Sequence, residues 1–276
     1  MIYVGCCSRR VTWQEYSKLF NAIEVDSTFY RLPRVDTARR WYESTSGRVR
    51  FSIKAFQCIT HPATSPTWRR AGSQMPKVNK ERYGHLKPTE ENFECWNSTL
   101  RVCKAVNARV CLLQLPPSFE CNDENTSNAI SFISSIKRDG IIIGMEFRHR
   151  SWMVEENKRR IIGILDRGVV HVVDPFTSMP VELREMAYFR MHGRPLDRGY
   201  SISYDYSYRY SDDDLARLLQ IVNEIYADEV FIMFNNIHMH DDAFRFKSFM
   251  RDDRCRISNA SIDPARGIER GNSGIT

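Results

Sequence analysis

Residues able to do acid–base chemistry and to bind anions occur at or near the ends of short apolar runs in this sequence. The carboxylates and the histidine suited to general acid–base catalysis are Glu24, Glu146 and His192. Side chains suited to binding a polar or anionic substrate occur in the same runs or directly after them, namely Asp26, Lys54, Gln114, Arg148, Arg190, Asn235 and Asn236. Within a strand, residues of one parity share a face. The alternation therefore predicts polar side chains that converge on one side of several strands.

The elements that must position these residues are eight short β-rich runs. They span 2–5, 22–26, 50–54, 109–115, 141–146, 169–173, 187–192 and 229–235. Helical patterns lie between most of them, the first opened by a capping box at Thr12 and Glu15 and the second capped by Asp36. Eight strands alternating with helices predict an α/β fold, a single (β/α)8 TIM barrel. The sixth crossover is weak, because 174–186 contains two prolines and little helical pattern.

In a closed barrel of parallel strands, the C-terminal strand ends surround one mouth, where barrel enzymes keep their catalytic groups. We expect the charged residues to lie together there, with Lys54 paired to Glu24 or Glu146. One interpretation is a buried ion-pair network that only stabilises the barrel. Buried ion pairs are often no better than apolar replacements. We therefore favour a ligand-binding or catalytic role.

Two segments fall outside the βα alternation. The span 62–90 is a long insertion after the third strand, with six basic residues (Arg69, Arg70, Lys77, Lys80, Arg82 and Lys87) against Glu81 and Glu90. A loop of that length is usually functional or disordered, and we expect this one to lie over the barrel mouth. The segment 251–276 is polar, and we expect it to be unstructured. The barrel domain accordingly spans 1–250.

Composition and charge limit the class of protein. Among the 276 residues, 42% are hydrophobic and 27% charged, so a wholly disordered chain is excluded. The net charge of +6 favours anionic partners only weakly. The run that begins at Ile2 has no signal-peptide pattern, and no apolar run approaches the roughly 18 residues of a membrane span. We therefore expect a cytoplasmic protein without a membrane contact, whose eight cysteines are reduced.

Five segments resemble signature segments of domain-of-unknown-function family 72, the YecE-like proteins. They are VDSTFYRLP at 25–33, LQLPPSF at 113–119, EFRHRSW at 146–152, FRMHGR at 189–194 and FNN at 234–236. Their order and spacing make a chance match improbable. The resemblance implies a TIM-barrel fold, in agreement with the strand count, and brings no established activity. That fold has been likened to the barrels of endonuclease IV and xylose isomerase, an analogy of fold that carries little functional weight.

The chain departs from that family after the first strand. Family members typically have a Gly-Thr-Ser-Gly-Trp-type turn there, whereas this chain has Gly5, Cys6, Cys7, Ser8 and Arg9. The vicinal thiols, together with Cys58 and Cys121 in loops on the same face, could ligate a soft metal, but no recognised spacing supports it. We interpret Cys95, Cys103 and Cys111 as core residues. No cofactor is evident, and the carboxylates of the mouth are compatible with a divalent metal.

Two hypotheses of different class remain open. The first is an enzyme, such as a phosphoester hydrolase, acting on an anionic, phosphorylated or nucleic-acid substrate. Lys54, Arg148 and Arg190 would hold the anion, Glu24 or Glu146 would be the general base and His192 the acid. The second is a non-catalytic barrel that binds nucleic acid or another anion. It would use the basic insertion and a segment in which tyrosines alternate from Tyr200 to Tyr210, a pattern equally typical of a surface β-ribbon.

Overall fold

The computed structural model describes residues 1–74, 76 and 78–260. Eight parallel strands close into a barrel in the order β1-β10-β7-β6-β5-β4-β3-β2. They are β1 Ile2–Cys6, β2 Ala22–Val25, β3 Arg50–Lys54, β4 Val110–Gln114, β5 Ile142–Glu146, β6 Val169–Val173, β7 Met186–Met191 and β10 Glu229–Phe234. Two further strands, β8 Arg194–Arg198 and β9 Ser201–Asp205, form an antiparallel hairpin after β7. The predicted TIM barrel is confirmed.

Helices lie between the strands and cover the outside of the barrel. They are α1 Trp13–Leu19, α2 Ser27–Tyr30, α3 Val35–Ser44, α4 Glu90–Ala105, α5 Asp123–Ser135, α6 Lys158–Leu165, α7 Asp212–Glu224 and α8 Met239–Ala260. Short 3-10 helices span Pro66–Arg70, Gly72–Gln74, Lys80–Arg82, Arg150–Met153 and Glu155–Asn157. The crossover from β6 to β7, described in full, contains turns and no helix. Among the described residues, no helix is long and apolar enough to cross a membrane.

Strand parity divides the core into two layers. Tyr3, Leu112, Val172, Tyr188 and Phe231 fill the inside of the barrel, and a larger cluster packs between the strands and the helices. The bottom and middle of the barrel are therefore filled by packed side chains, with Tyr188 and Phe231 stacked at 5.5 Å between ring centroids. The polar residues of the inward parity occur above these layers, toward the C-terminal strand ends.

Helix ends follow local chemistry with one correction. The capping box at Thr12 and Glu15 is present, with the Thr12 backbone N–H donating to the Glu15 carboxylate at 2.9 Å. Asp36 does not cap α3, because the helix already begins at Val35 after the extended Arg34. Asp36 instead lies in the first turn, where its negative charge favours the helix dipole.

The insertion after β3 packs against the loops that follow β2 and β4. The Gln74 amide accepts from the Leu32 backbone N–H at 3.0 Å and donates to the Leu32 carbonyl at 3.2 Å. The His85 ring hydrogen bonds to Ser118 at 2.9 Å. These contacts place the insertion on the C-terminal face of the barrel. Lys77 and 261–276 lie outside the described residues, and the boundary predicted at 250 falls inside α8.

Not every cysteine is a free thiol. Cys58, in the loop after β3, forms a disulfide with Cys95 on α4, with their Cα atoms 6.5 Å apart. The expectation of reduced cysteines is therefore wrong for this pair, and Cys95 is not only a core residue. Packing of α4 against the β3 strand and loop brings the two together, which spacing in the sequence does not show. Cys6, Cys7, Cys103 and Cys111 are free and buried.

Candidate active site

Side chains of inward parity meet at the C-terminal end of the barrel and join in one hydrogen-bonded network. We call this network the charged cluster, defined as Glu24, Gln114, Glu146, Arg148, Arg190, His192 and Asn235. Its members come from β2, β4, β5 and β7 and from the residues directly after β5, β7 and β10. The structure thus brings together seven of the ten residues singled out in the sequence. Asp26 and Lys54 form a neighbouring pair, and Asn236 lies elsewhere.

Arg190 is the centre of the charged cluster, and its side chain is fully buried. Its Nε and Nη2 donate to the two carboxylate oxygens of Glu24 at 3.0 and 2.6 Å. Its Nη1 donates to Glu146 Oε2 at 2.6 Å and to Gln114 Oε1 at 3.3 Å. Burial alone would lower the pKa of Arg190, but Glu24 and Glu146 outweigh it and raise that pKa well above its ordinary value. Arg190 therefore stays charged inside the barrel.

Glu146 connects Arg190 to a second group of side chains. Its Oε1 lies 2.9 Å from Arg148 Nη2 and 2.9 Å from His192 Nε2. Burial would raise the pKa of Glu146, but Arg148, Arg190 and His192 together hold it well below its ordinary value. Glu146 is therefore a carboxylate that accepts from Arg190 and His192 and forms an ion pair with Arg148, and charge-assisted hydrogen bonds are among the strongest in proteins.

His192 is neutral, because burial and the neighbouring Arg148 lower its pKa to about 3. The Asn235 amide donates to its Nδ1 at 3.1 Å, so the proton of the neutral ring lies on Nε2 and points at Glu146. Arg148 Nη2 is also 2.9 Å from Nε2, but the Glu146 carboxylate is the better acceptor for a guanidinium. The arrangement places a hydrogen-bond donor of a neutral imidazole next to a carboxylate.

Lys54 and Asp26 form an ion pair beside the charged cluster. Lys54 Nζ lies 2.8 Å from Asp26 Oδ1 and 4.3 Å from the centre of the Phe29 ring. Burial raises the pKa of Asp26, but Lys54 and Arg190 outweigh that effect and lower it. The expectation that Lys54 pairs with Glu24 or Glu146 is wrong. Asp26 follows β2 and precedes α2, so its side chain reaches Lys54 on the neighbouring strand first.

The β8–β9 hairpin covers part of the charged cluster. The Tyr204 ring lies 4.7 Å from the His192 ring and 5.1 Å from the Arg148 guanidinium carbon, and the Tyr206 ring is 5.8 Å from that of His192. The Ile202 N–H donates to the Arg148 carbonyl at 2.9 Å, which fixes the hairpin to the loop after β5. The segment 194–205 thus forms a β-ribbon at the mouth that includes Tyr204, whereas Tyr206, Tyr208 and Tyr210 follow it outside the strands.

One cavity opens from the surface next to Glu24, the one member of the charged cluster among its described lining residues. It has a volume of about 710 Å³ and lies between the loops after β1 and β2, with Glu24 and Asp26 in its wall. Arg9 and Arg10 are exposed and also line it, as do the indole rings of Trp13 and Trp41. The Trp13 Nε1–H is buried and has no hydrogen-bond partner among the described residues. The wall therefore carries two arginines together with three carboxylates, Glu15, Glu24 and Asp26, and an unused donor.

Asp174 is a site residue that the sequence interpretation missed. Its Oδ2 accepts from the His192 backbone N–H and its Oδ1 from that of Phe176, both at 3.0 Å. Burial raises the pKa of Asp174 to about 7. It directly follows β6 with the parity of Val170 and Val172, so the rule that indicated Glu146 would also have found it. The assignment of 174 to the weak crossover concealed it.

Asn236 does not take part in the charged cluster. Its amide nitrogen donates to the Tyr208 carbonyl at 2.8 Å and to Asp242 Oδ2 at 2.6 Å, which holds the start of α8. Among the described residues, no group of three or more histidine, cysteine, aspartate and glutamate side chains is arranged to hold a metal ion. Cys6 and Cys7 are buried, and burial raises the pKa of each thiol.

A family model described as "Protein of unknown function DUF72" matches residues 3–263. The chain belongs to this family. The UPF0759 protein YunF of Bacillus subtilis is 26% identical over 245 residues, which cover 81% of this chain and 79% of YunF. The resemblance seen in the sequence is confirmed. The family description names no activity, so the function has to be argued from the charged cluster.

Solved structures place the DUF72 fold beside other TIM-barrel-like proteins. A DUF72 protein of Enterococcus faecalis superposes with a TM-score of 0.66 at 20% identity, over 91% of this chain and 98% of that one. A xylose isomerase domain-containing protein of Salmonella typhimurium superposes with a TM-score of 0.55 at 12% identity, over 93% and 97%. At these identities the likeness concerns the fold alone.

Proposed function

We propose that the charged cluster is an active site and that this DUF72 protein is an enzyme acting on a small anionic, phosphorylated substrate. The observation that carries the proposal is the cavity that joins the exposed Arg9 and Arg10 to Asp26 and Glu24. A molecule in that cavity would meet the cationic side chains of Arg9 and Arg10 near solvent and the carboxylate of Asp26 at the inner end. Barrel enzymes keep their catalytic groups at this mouth. Buried charges are a costly way to stabilise a fold, which also favours a functional role.

The geometry suggests different roles for the carboxylates. Glu24 is fully buried and holds the Arg190 guanidinium at two points, so we assign it to positioning. Glu146 and His192 form the acid–base unit, with the imidazole Nε2–H as the donor. Asp26, whose side chain is 27% exposed, is the carboxylate best placed to accept a proton from a water molecule in the cavity.

The cations of the mouth would hold the anion. Lys54 lies next to Asp26, and the Arg148 Nε–H is buried without a hydrogen-bond partner among the described residues. A phosphate oxygen would satisfy that donor, and a preorganised donor near developing charge is an effective catalytic device. Phosphoester hydrolysis is the reaction class that these roles fit best. The insertion 62–90, on the same face, would add positive potential through Arg69 and Arg70.

Phosphate binding and phosphate release test the proposal. We expect inorganic phosphate to raise the thermal unfolding midpoint, and a panel of phosphomonoesters to release phosphate in the presence of the enzyme. Arg9→Ala/Arg10→Ala should weaken both effects, and Asp26→Asn should abolish turnover while retaining phosphate binding. Arg39→Ala is the control, because Arg39 is exposed on α3 outside this cavity. Phosphate stabilisation that is absent, or equal in the double variant, would contradict the proposal.

A second candidate, a non-catalytic nucleic-acid-binding barrel, rests on the hairpin. Tyr200 and Tyr206 are 65% and 41% exposed beside the mouth, and Tyr200 stacks on His149. Exposed aromatic rings next to cations suit stacking on unpaired bases. This function predicts that a single-stranded oligonucleotide binds with strong salt dependence, that Tyr200→Ala weakens binding, and that no phosphomonoester turns over.

A further inference from the structure

A second cavity lies outside the barrel, on the other side of the strands from the charged cluster. It has a volume of about 490 Å³ and lies between β6, the 3-10 helix Arg150–Met153 and the β8–β9 hairpin. His171 lines it from β6, with the parity opposite to that of the inward-facing Val170 and Val172. No residue of the charged cluster is among its described lining residues. The volume falls in the range of small-molecule sites, roughly 300–1,000 Å³.

His171 has an unused hydrogen-bond donor at this cavity. The Val181 backbone N–H donates to His171 Nδ1 at 3.1 Å, so Nδ1 is the acceptor. Burial lowers the pKa of His171 to about 4, and the neutral ring therefore carries its proton on Nε2. His171 is 3% exposed, and its Nε2 has no partner among the described residues. Ser203 Oγ, on β9 in the same cavity wall, is likewise buried and unpartnered.

Apart from Thr177 and Ser178, the rest of the wall is apolar, and its charged residues have a single sign. Trp152, Leu196 and Ile202 are among its apolar side chains, and its charged residues are Arg150 and Lys158. The acidic partners of these two cations, Asp197 and Glu155, are 85% and 78% exposed. Exposed ion pairs of this kind contribute little to stability, so both cations are available to another anion.

We propose that this cavity binds a small, largely apolar carboxylate, with an oxygen of the ligand accepting from His171 Nε2–H and Ser203 Oγ–H. Burial of the apolar body against Trp152 and Leu196 supplies affinity, and the carboxylate balances the positive wall. The site does not depend on the reaction at the barrel mouth. Its ligand would pack behind β9, the strand that carries Tyr204 against His192.

Fluorine NMR of the full-length protein tests this site with 4-fluorobenzoate as the probe. The wild-type protein should bind 4-fluorobenzoate, and 4-fluorotoluene, which has the same ring and no acceptor, should bind much more weakly. His171→Leu should weaken 4-fluorobenzoate binding about tenfold, which corresponds to about 1.4 kcal/mol. His240→Leu is the matched control, since the His240 ring packs against Tyr16 and Phe20, neither of which lines this cavity.

A second variant keeps the test decisive if His171→Leu unfolds. Leu196→Trp fills the cavity from the hairpin without touching the His171–Val181 hydrogen bond, and it should abolish probe binding. Inorganic phosphate should leave the 4-fluorobenzoate signal unchanged, because the two sites are separate. Equal binding of 4-fluorobenzoate by wild-type and Leu196→Trp proteins, equal binding of the two probes, or no binding at millimolar probe would each overturn the proposal.

Discussion

Arg190 and Glu24 form a two-point ion pair inside the barrel, between strands that are not neighbours in the sheet. The Nε–Oε2 and Nη2–Oε1 distances are 3.0 and 2.6 Å, and both side chains are 0% exposed. The pair crosses the barrel interior from β7 to β2, so it closes the top of the apolar core. It also presents Arg190 Nη1 to Glu146 in a fixed orientation. Glu24 thus acts as a supporting residue that fixes the orientation of a side chain in direct contact with the acid–base group Glu146.

The first prediction concerns this pair. Glu24→Gln removes the negative charge and leaves Arg190 buried with Glu146 as its only carboxylate partner in the charged cluster. Breaking a buried pair from one side should cost about 3–5 kcal/mol of unfolding free energy, measured by urea denaturation. Asp36→Asn is the control, because the Arg39–Asp36 pair is 57% and 75% exposed and should contribute less than about 1 kcal/mol. Similar losses of unfolding free energy in Glu24→Gln and Asp36→Asn would contradict the assignment of Glu24 to a buried ion pair with Arg190.

The second prediction separates the partners of Lys54. A double-mutant cycle of Lys54→Met and Asp26→Asn should show a coupling on the order of 1–2 kcal/mol, because the two charges are in direct contact. The cycle of Lys54→Met with Glu146→Gln should show a smaller coupling. Lys54→Met should also weaken phosphate binding in calorimetry. A coupling to Glu146 larger than that to Asp26 would place Lys54 in a different pair.

Strand parity explains how much of the site could be predicted. A parity rule applied to Glu24, Glu146 and Arg190 identifies the inward face without any knowledge of the fold, because alternation is a property of the strand itself. It cannot say which inward neighbour a long side chain reaches, and so the Lys54–Asp26 contact was missed. Tyr204 was equally out of reach, since its place over His192 depends on how the hairpin folds back. The Cys58–Cys95 disulfide likewise depends on helix packing.

The third prediction concerns pH and His61. Burial and the nearby Lys54 lower the pKa of His61 to about 3. Since the unfolded value is about 6.5, a proton binds the unfolded chain first as the pH falls. The contribution of His61 to stability is therefore present above pH about 6.5 and is lost toward the folded pKa. His61→Gln should reduce the fall in unfolding free energy by up to about 1.4 kcal/mol per pH unit between pH about 6.5 and 4.

Urea denaturation at several pH values measures this slope. His238→Gln, outside the barrel interior, reports the general effect of replacing a histidine and should leave the slope closer to that of the wild-type protein. Parallel curves for the wild-type and His61→Gln proteins would show that His61 does not carry a lowered pKa.

The fourth prediction concerns Asp174, whose contribution to stability changes with pH in the direction opposite to that of His61. Burial raises the pKa of Asp174 to about 7, above an unfolded value of about 3.9. The folded protein therefore holds a proton that the unfolded chain releases between these values. Stability from this group is present below pH about 4 and is lost as the pH rises to about 7. Relative to Asp174→Asn, the wild-type protein should lose up to about 1.4 kcal/mol per pH unit in that window. Carbon NMR of labelled aspartate should show the titration directly.

The last prediction tests whether the base of the hairpin is rigid. Gly193 links β7 to β8 with a φ of +104°, and a Cβ atom there would lie 2.2 Å from the Asp205 carbonyl oxygen. Gly193→Ala therefore combines an unfavourable backbone conformation with a clash against backbone that cannot move aside cheaply. We expect the free energy of unfolding to fall by about 1–3 kcal/mol and the hairpin to become easier to cleave by proteases.

Gly163→Ala is the matched control for that substitution. Gly163 lies within α6, with nothing within 4 Å of the position of a Cβ atom, so alanine should stabilise the protein by roughly 0.5–1 kcal/mol. The two variants make the same chemical change with opposite expected signs. Because Tyr204, which contacts the His192 ring, precedes Asp205 on β9, Gly193→Ala should also change phosphate binding at the mouth, while Gly163→Ala should not. Equal melting of both variants would mean that the hairpin adapts without strain and is not held over the charged cluster by its base.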